Sequence, residues 1–177
     1  HAKNQFTCHA SGIFKYAHII VQKLMQILLN KRKNFFDISN SFEGEIDPTQ
    51  RAWIEVSGKT IESNVKQLRS KLRDKCELMA VVKADGYGHG AVAGSNAALK
   101  GGADCLGVAT LQEAIELRQS GLQCSILILG NLTNTEDLKI CFDWDLIPTL
   151  SGLREALLCE SIAHRSGRKF PIHLKVD

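Results

Sequence analysis

The sequence predicts an α/β fold in which parallel strands alternate with helices. Apolar strand-like runs recur about every 20–28 residues, helical patterns fill the intervals, and the two-residue turns of β-hairpins are missing. Both a barrel and a doubly wound sheet fit this spacing, and periodicity alone does not choose between them. A barrel normally needs eight strands and about 250 residues. The barrel alternative therefore requires this chain to be part of a longer protein.

The individual elements follow in order from Arg51. The segment 51–56 alternates like a strand, and the apolar positions between Ile61 and Leu72 mark one face of a helix. The strands of the sheet are predicted at 77–82, 105–109, 125–129, 146–150 and 171–176. Helices are predicted at 91–100, from Thr110 to about 120, at 135–142, and from a Ser151 cap to about 165. Thr110 and Glu113 have the spacing of a capping box, whereas Pro148 weakens the fourth strand.

The composition is that of an ordinary folded domain. Hydrophobic residues make up 44% and charged residues 23% of the 177 positions, which suffice for one core. The net charge of +3 is too small to indicate a nucleic-acid partner. No apolar run is long enough for a transmembrane helix, and no export signal is visible, so we expect a cytoplasmic protein without a membrane partner. The six cysteines form no C-x-x-C pair, which predicts buried thiols and no metal site.

Residues 1–50 differ from the rest of the chain. Residues 1–36 hold six Lys or Arg and no acid, with apolar residues at helical spacing around Leu24. We expect an extension, either poorly ordered or a basic amphipathic helix, that takes no part in chemistry. Its basic character leaves organelle targeting as an alternative to the cytoplasm. Because the chain starts on His1 and ends on Asp177 directly after a strand, we also expect a piece of a longer protein.

The most informative stretch begins at Lys83, which closes the apolar run 77–82. Parallel α/β folds place active residues at this edge of the sheet. Burial there favours the neutral amine that a Schiff base with an aldehyde needs. Three glycines in the next seven positions permit a tight turn, and the Tyr87 hydroxyl can reach a phosphate. No P-loop is present. On the residues alone, a solvated lysine followed by a plain turn remains the competing interpretation.

The stretch Val82-Lys83-Ala84-Asp85-Gly86-Tyr87-Gly88-His89-Gly90 resembles the attachment signature for pyridoxal 5′-phosphate (PLP) in alanine racemases. This signature is long and specific. The resemblance covers residues 51–177. Its other segments are 51–56 with 64–65, 106–109 with 113–118, 126–130, and 173–177.

The resemblance implies a fold and three functional residues. Family members are homodimers whose N-terminal domain is a parallel (β/α)8 TIM-type barrel that holds PLP, so residues 51–177 would be about the first half of that barrel. Lys83 would carry PLP and act as one of two bases that move the α-proton of alanine. Tyr87 would hydrogen-bond the cofactor phosphate. Lys175 matches a lysine that is carbamylated in several members and then orients an arginine beside the cofactor.

Three other polar residues of the matched segments receive structural interpretations. Asp85 is expected to stabilise the turn by accepting backbone N–H groups. His89 is expected to be structural and not a base. His173 is expected to be a strand residue and not a ligand.

The resemblance implies an isomerase that supplies D-alanine for peptidoglycan. The family's second base is a tyrosine from the C-terminal domain of the other subunit, so we expect that the 177-residue chain alone does not racemise alanine. One alternative is a single-barrel PLP carrier, which has the lysine but lacks the Asp-Gly-Tyr-Gly-His-Gly continuation. Others are a non-functional gene remnant, decarboxylases or aldolases with the same barrel, and a racemase of broader scope.

Overall fold

The computed structural model describes residues 54–176, which form one parallel sheet with helices packed against it. The prediction for residues 1–50, and the first half of the strand predicted at 51–56, lie outside the described residues. The strands are β1 (Met79–Val81), β2 (Cys105–Val108), β3 (Ser125–Asn131), β4 (Ile147–Leu150) and β5 (His173–Leu174). The helical segments are α1 (Gly58–Arg69), α2 (Lys83–Gly88), α3 (Ala91–Lys100), α4 (Leu111–Gln119), α5 (Thr135–Asp143) and α6 (Leu153–Ser166).

The order of the strands decides between the two architectures that the sequence left open. The strands are hydrogen-bonded in the order β1-β2-β3-β4-β5, and every neighbouring pair is parallel. Spatial order equals chain order, as in a (β/α)8 barrel, whereas a doubly wound sheet reverses its strand order at a switch point. The predicted fold class, a barrel-type α/β fold of which about the first half is present, is confirmed.

Strand side chains alternate between the two faces of the sheet, and each face has its own apolar cluster. The helix-facing side carries strand residues with 0% exposure, which pack against buried residues of α4 and α5. These strand residues are Leu106, Val108, Ile126, Ile128 and Leu150. Full burial of each such side chain contributes about 1.5–3 kcal/mol. The other face carries the smaller cluster of Met79, Cys105 and Leu127.

The first helix, α1, is capped by Ser57, whose hydroxyl accepts a hydrogen bond from the Thr60 N–H. It packs against α3 so closely that a Cβ added to Gly101 would lie 2.6 Å from the Cβ of Val65. The helical prediction for this segment is confirmed, although Leu72 lies beyond the end of the helix.

The segment 54–56 and the start of α6 differ from the prediction. Residues 54–56 form no strand, and Ile54 is 82% exposed, because no described strand lies beside this segment to pair with it. The cap of α6 is Gly152 and not Ser151. The Glu155 carboxylate folds back over Gly152, where an added Cβ would lie 2.6 Å from its Oε2. A larger residue at that position would displace this flexible carboxylate.

Pro148 does not prevent β4 from forming. It lies fully buried opposite Ile128 in β3, next to an irregularity of the β3–β4 register between Ile128 and Asn131. Proline lacks an N–H donor and is tolerated in sheets where the ladder is interrupted. The fifth strand is shorter than predicted, with two residues in place of six. No helix within residues 54–176 combines the length and the apolar character needed to cross a membrane.

Candidate functional site

Lys83 lies at the carboxyl edge of the sheet, directly after β1. The Val82 N–H donates a 2.8 Å hydrogen bond to the Gly107 carbonyl, which extends the β1–β2 pairing up to the lysine. The Lys83 side chain is half-buried. The carboxyl ends of all five strands meet at this edge because the sheet is parallel. Lys83 therefore occupies the position that the sequence predicted.

The backbone after Lys83 forms one turn of left-handed helix. Residues 84–87 have φ between 51° and 61° and ψ between 33° and 54°. The three predicted turn glycines, at positions 86, 88 and 90, all have positive φ, which glycine adopts without steric cost. The three non-glycine residues of the turn cost about 1–2 kcal/mol each in this conformation. Such a turn needs hydrogen bonds from its surroundings.

Asp85 and His89 supply part of these hydrogen bonds. The Asp85 Oδ1 accepts from the Ala91 N–H at 2.7 Å and so ties the turn to the start of α3. The His89 Nδ1 lies 3.0 Å from the Gly86 carbonyl oxygen and 3.2 Å from that of Tyr87. Because both partners are acceptors, we infer that Nδ1 carries the proton. Asp85 thus accepts a backbone N–H as predicted, and the contacts of the His89 ring nitrogen Nδ1 are to backbone carbonyls of the turn.

Lys83 and Tyr87 lie together at the site. The Lys83 Nζ lies 6.0 Å from the centre of the Tyr87 ring. Among residues 54–176, the ion pairs are Lys66 with Glu62 and Arg69 with Asp104, so the described part of the chain places no carboxylate at ion-pairing distance from Lys83. A half-buried primary amine without an ion-pair partner, beside a phenol, fits an aldehyde cofactor that also carries a phosphate.

Glu113 completes the site from the first turn of α4. Its Oε1 accepts a 2.7 Å hydrogen bond from the Ala84 N–H, and its Oε2 accepts from the N–H groups of Ala109 at 2.7 Å and Thr110 at 3.1 Å. Burial raises the pKa of this carboxyl, but the three backbone hydrogen bonds and the Thr110 hydroxyl more than offset it, so the pKa lies below its usual value. The capping box was predicted correctly. The bond to Ala84 was missed because it joins residues far apart in the sequence.

Lys175 lies at the same edge as Lys83 but four strands away. It follows β5, its N–H donates a 2.8 Å hydrogen bond to the Leu150 carbonyl, and its side chain is exposed. His173 lies in β5 as predicted and is half-buried. The structure thus brings Lys83 and Tyr87 together and places Lys175 at the same edge of the sheet but four strands away from Lys83.

A cavity of about 540 Å³ opens on the sheet face that carries the Met79 cluster. Its lining includes Glu77, Asp104 and Ser125, which lie at the amino ends of the first three strands. Lys83 lies at the opposite end of the strands. The cavity is therefore not part of the Lys83 site.

Comparison with known proteins identifies the family. The family model described as "Alanine racemase, N-terminal domain" matches residues 56–177. An alanine racemase of Prochlorococcus marinus is 60% identical over 133 residues, which cover 75% of this chain and 34% of that protein. An alanine racemase of Synechocystis sp. is 45% identical over 128 residues, which cover 72% of this chain and 34% of that protein.

A solved structure agrees with the sequence relatives. The crystal structure of alanine racemase from E. faecalis matches with a TM-score of 0.62 at 38% identity, covering 69% of this chain and 33% of that one. The chain spans about a third of the length of these relatives. The match over residues 56–177, together with the strand order and the Lys83 signature, shows that this chain belongs to the alanine racemase N-terminal domain family.

Proposed function

We propose that this chain is the part of a PLP-dependent alanine racemase that carries the cofactor, and that the whole protein interconverts L- and D-alanine. The observation that supports this most directly is the Lys83 amine, half-buried at the carboxyl edge of the sheet, beside Tyr87 and without an ion-pair partner in residues 54–176. In this proposal residues 51–177 form part of the cofactor-binding barrel, and residues 1–50 are an extension outside the chemistry.

The cofactor, when bound, supplies an electron sink for the α-carbon of the amino acid. The chain supplies position and proton transfer. Lys83 would hold the cofactor covalently through Nζ. Once the amino group of alanine had displaced Nζ from the cofactor, the freed Lys83 amine would accept the α-proton on one face of the alanine in one direction of the reaction and donate a proton there in the other. The Tyr87 hydroxyl donates a hydrogen bond to the cofactor phosphate. Lys175, once carbamylated, provides an anion that orients an arginine of the complete site.

Racemisation needs a second base on the opposite face of the alanine. In our proposal that base comes from the other subunit of a homodimer, and the 177-residue chain alone does not racemise alanine. The product serves peptidoglycan synthesis in the cytoplasm. A single-barrel PLP carrier is the second candidate, because it also needs the lysine. The continuation of the signature through Gly90 and the 60% identity to an alanine racemase favour the racemase.

A chimera tests the proposal. The 133-residue segment of the Prochlorococcus marinus alanine racemase that matches this chain is replaced by the matching segment of this chain. We expect the chimera to interconvert L- and D-alanine, with activity within about tenfold of the parent enzyme, because one decade corresponds to only about 1.4 kcal/mol of barrier. Activity is measured as D-alanine formed from L-alanine and as the reverse reaction.

Two controls make the result interpretable. The parent with Lys replaced by Ala at the position equivalent to Lys83 gives the background rate. The chimera's PLP content and circular dichroism report folding and cofactor loading. A chimera that folds and binds PLP at parental levels but does not invert alanine would contradict the racemase proposal and favour the carrier.

A further inference from the structure

Glu113 makes two kinds of contact, and only one of them is local. Within α4 it belongs to a capping box with Thr110, whose hydroxyl accepts a 3.2 Å hydrogen bond from the Glu113 N–H. Its Oε2 also accepts from the N–H groups of Thr110 and Ala109, at the end of β2. These bonds explain an ordinary helix start. They do not explain the other carboxylate oxygen.

The Oε1 of Glu113 leaves its own element and contacts the turn that follows Lys83. It accepts a 2.7 Å hydrogen bond from the Ala84 N–H, 29 residues away. Ala84 is the residue directly after Lys83 and the first left-handed residue of the turn. One carboxylate therefore joins the end of β2 to the point where the backbone of Lys83 leaves β1.

We propose that Glu113 is a positioning residue for Lys83, because its carboxylate fixes the Ala84 amide and so the direction in which the lysine enters the site. This inference rests on the proposed function for the role of Lys83, although the contact itself does not. Both oxygens must accept, since N–H donors approach each of them. A glutamine of the same shape has one carbonyl oxygen and turns an NH₂ group toward a donor, so it loses one side of the bridge.

The test compares two variants of the full 177-residue chain. Glu113→Gln keeps an acceptor on only one side of the bridge and turns an NH₂ group toward the N–H donors of the other side. Thr110→Ala removes the hydroxyl acceptor of the cap and leaves the Glu113 carboxylate free to bind Ala84, so it is the matched control for helix capping. Amide hydrogen exchange of the peptide that contains residues 83–90 is the first measurement. The β3 peptide from the same sample is the internal standard for global folding.

We expect exchange in the 83–90 peptide to be about tenfold faster or more in Glu113→Gln, because a hydrogen bond to a charged acceptor is lost. Thr110→Ala should stay within about twofold of the wild type. The second measurement is the rate at which PLP, followed by borohydride, modifies Lys83. We expect about a tenfold slower modification of Lys83 in Glu113→Gln and no comparable change in Thr110→Ala, with exposed lysines such as Lys139 unaffected in both.

The outcomes separate this inference from the proposed function. Equal exchange in Glu113→Gln and wild type, or equal acceleration in both variants, overturns the positioning role and leaves Glu113 as a helix cap. A wild-type chain that PLP does not modify at Lys83 contradicts the proposed function. In that case, the exchange comparison still decides whether Glu113 fixes the backbone beside Lys83.

Discussion

Gly130 lies in β3, beside the backbone that supports the Lys83 site, and the structure allows the cost of Gly130→Ala to be worked out. A Cβ at this position would lie 2.4 Å from the Ala109 carbonyl oxygen. Cβ atoms essentially never approach a heavy atom within 3.0 Å, so the two backbones must separate by at least 3.0 − 2.4 = 0.6 Å. The obstacle is a carbonyl of the main chain, which cannot rotate away as a flexible side chain would.

Ala109 is held on both sides, so the separation disturbs its hydrogen bonds. Its N–H donates to Glu113 at 2.7 Å, and its carbonyl accepts from the Gly130 N–H at 3.1 Å. Overpacking of this kind costs about 1–3 kcal/mol. We expect Gly130→Ala to lower the free energy of unfolding by about 2 kcal/mol. Through Glu113 the shift should also speed hydrogen exchange at Ala84.

Gly94→Ala is the matched control, because the same methyl group is added where the structure has room for it. Gly94 lies inside α3, and an added Cβ meets no atom within 4 Å. We expect a gain of about 0.4–1 kcal/mol from the reduced freedom of the unfolded chain. Urea unfolding followed by circular dichroism measures both variants. A Gly130→Ala chain as stable as the wild type, or a Gly94→Ala chain that loses as much stability, would show that the Ala109 carbonyl does not limit the space at Gly130.

Three further predictions concern stability and reactivity. Arg118→Ala removes four hydrogen bonds to carbonyl oxygens of residues 122, 124, 144 and 145, so the free energy of unfolding should fall by about 3 kcal/mol. The control Arg165→Ala loses one exposed hydrogen bond and should lower the free energy of unfolding by less than about 0.5 kcal/mol. An equal loss of stability in the two variants would contradict the role of Arg118. Burial raises the pKa of Glu113, but its backbone hydrogen bonds lower the pKa by more, so the net pKa in the folded state is depressed. The stability that the Glu113 carboxylate contributes is therefore present above its unfolded-state pKa and is lost as the pH falls through its folded-state pKa. Between about pH 6 and about pH 3, the urea midpoint should drop more for the wild type than for Glu113→Gln. Burial raises the pKa of the Cys105 and Cys141 thiols to about 12. Iodoacetamide at about pH 8 should therefore leave both thiols unmodified in the folded chain and alkylate both in urea. Rapid alkylation of either thiol without urea would be inconsistent with its burial.

Local sequence patterns predicted the elements whose causes are local. Helix α3 has the predicted bounds, and the capping box of Thr110 and Glu113 forms as expected. The strand order was not predictable, because a barrel and a doubly wound sheet have the same periodicity of strands and helices in the sequence. The order in the structure decides between them. The position of Lys83 at the carboxyl edge followed from the apolar run before it, because parallel strands end at one edge.

The parts of the site that escaped prediction depend on contacts between distant residues. Nothing in the residue types Ala84, Asp85 or Tyr87 indicates a left-handed backbone, which L-residues avoid. The Glu113 carboxylate, 29 residues away, accepts the Ala84 N–H and supports this conformation, in addition to the predicted local bond between Asp85 and the Ala91 N–H. The strand predicted at 54–56 does not form for a related reason. Alternation of apolar and polar residues leads to a strand only where a partner strand lies beside the segment.

The proposed function requires that the Lys83 amine be the group that PLP modifies. To test this most simply, the 177-residue chain is incubated with PLP and reduced with borohydride, and the modified lysine is located by peptide mass spectrometry. We predict that Lys83 carries the modification, that Lys83→Ala abolishes it, and that Lys139→Ala, at an exposed position of α5, leaves it intact. A chain modified elsewhere with Lys83 unmodified, or a Lys83→Ala chain that binds PLP as the wild type does, would contradict the proposed role of Lys83.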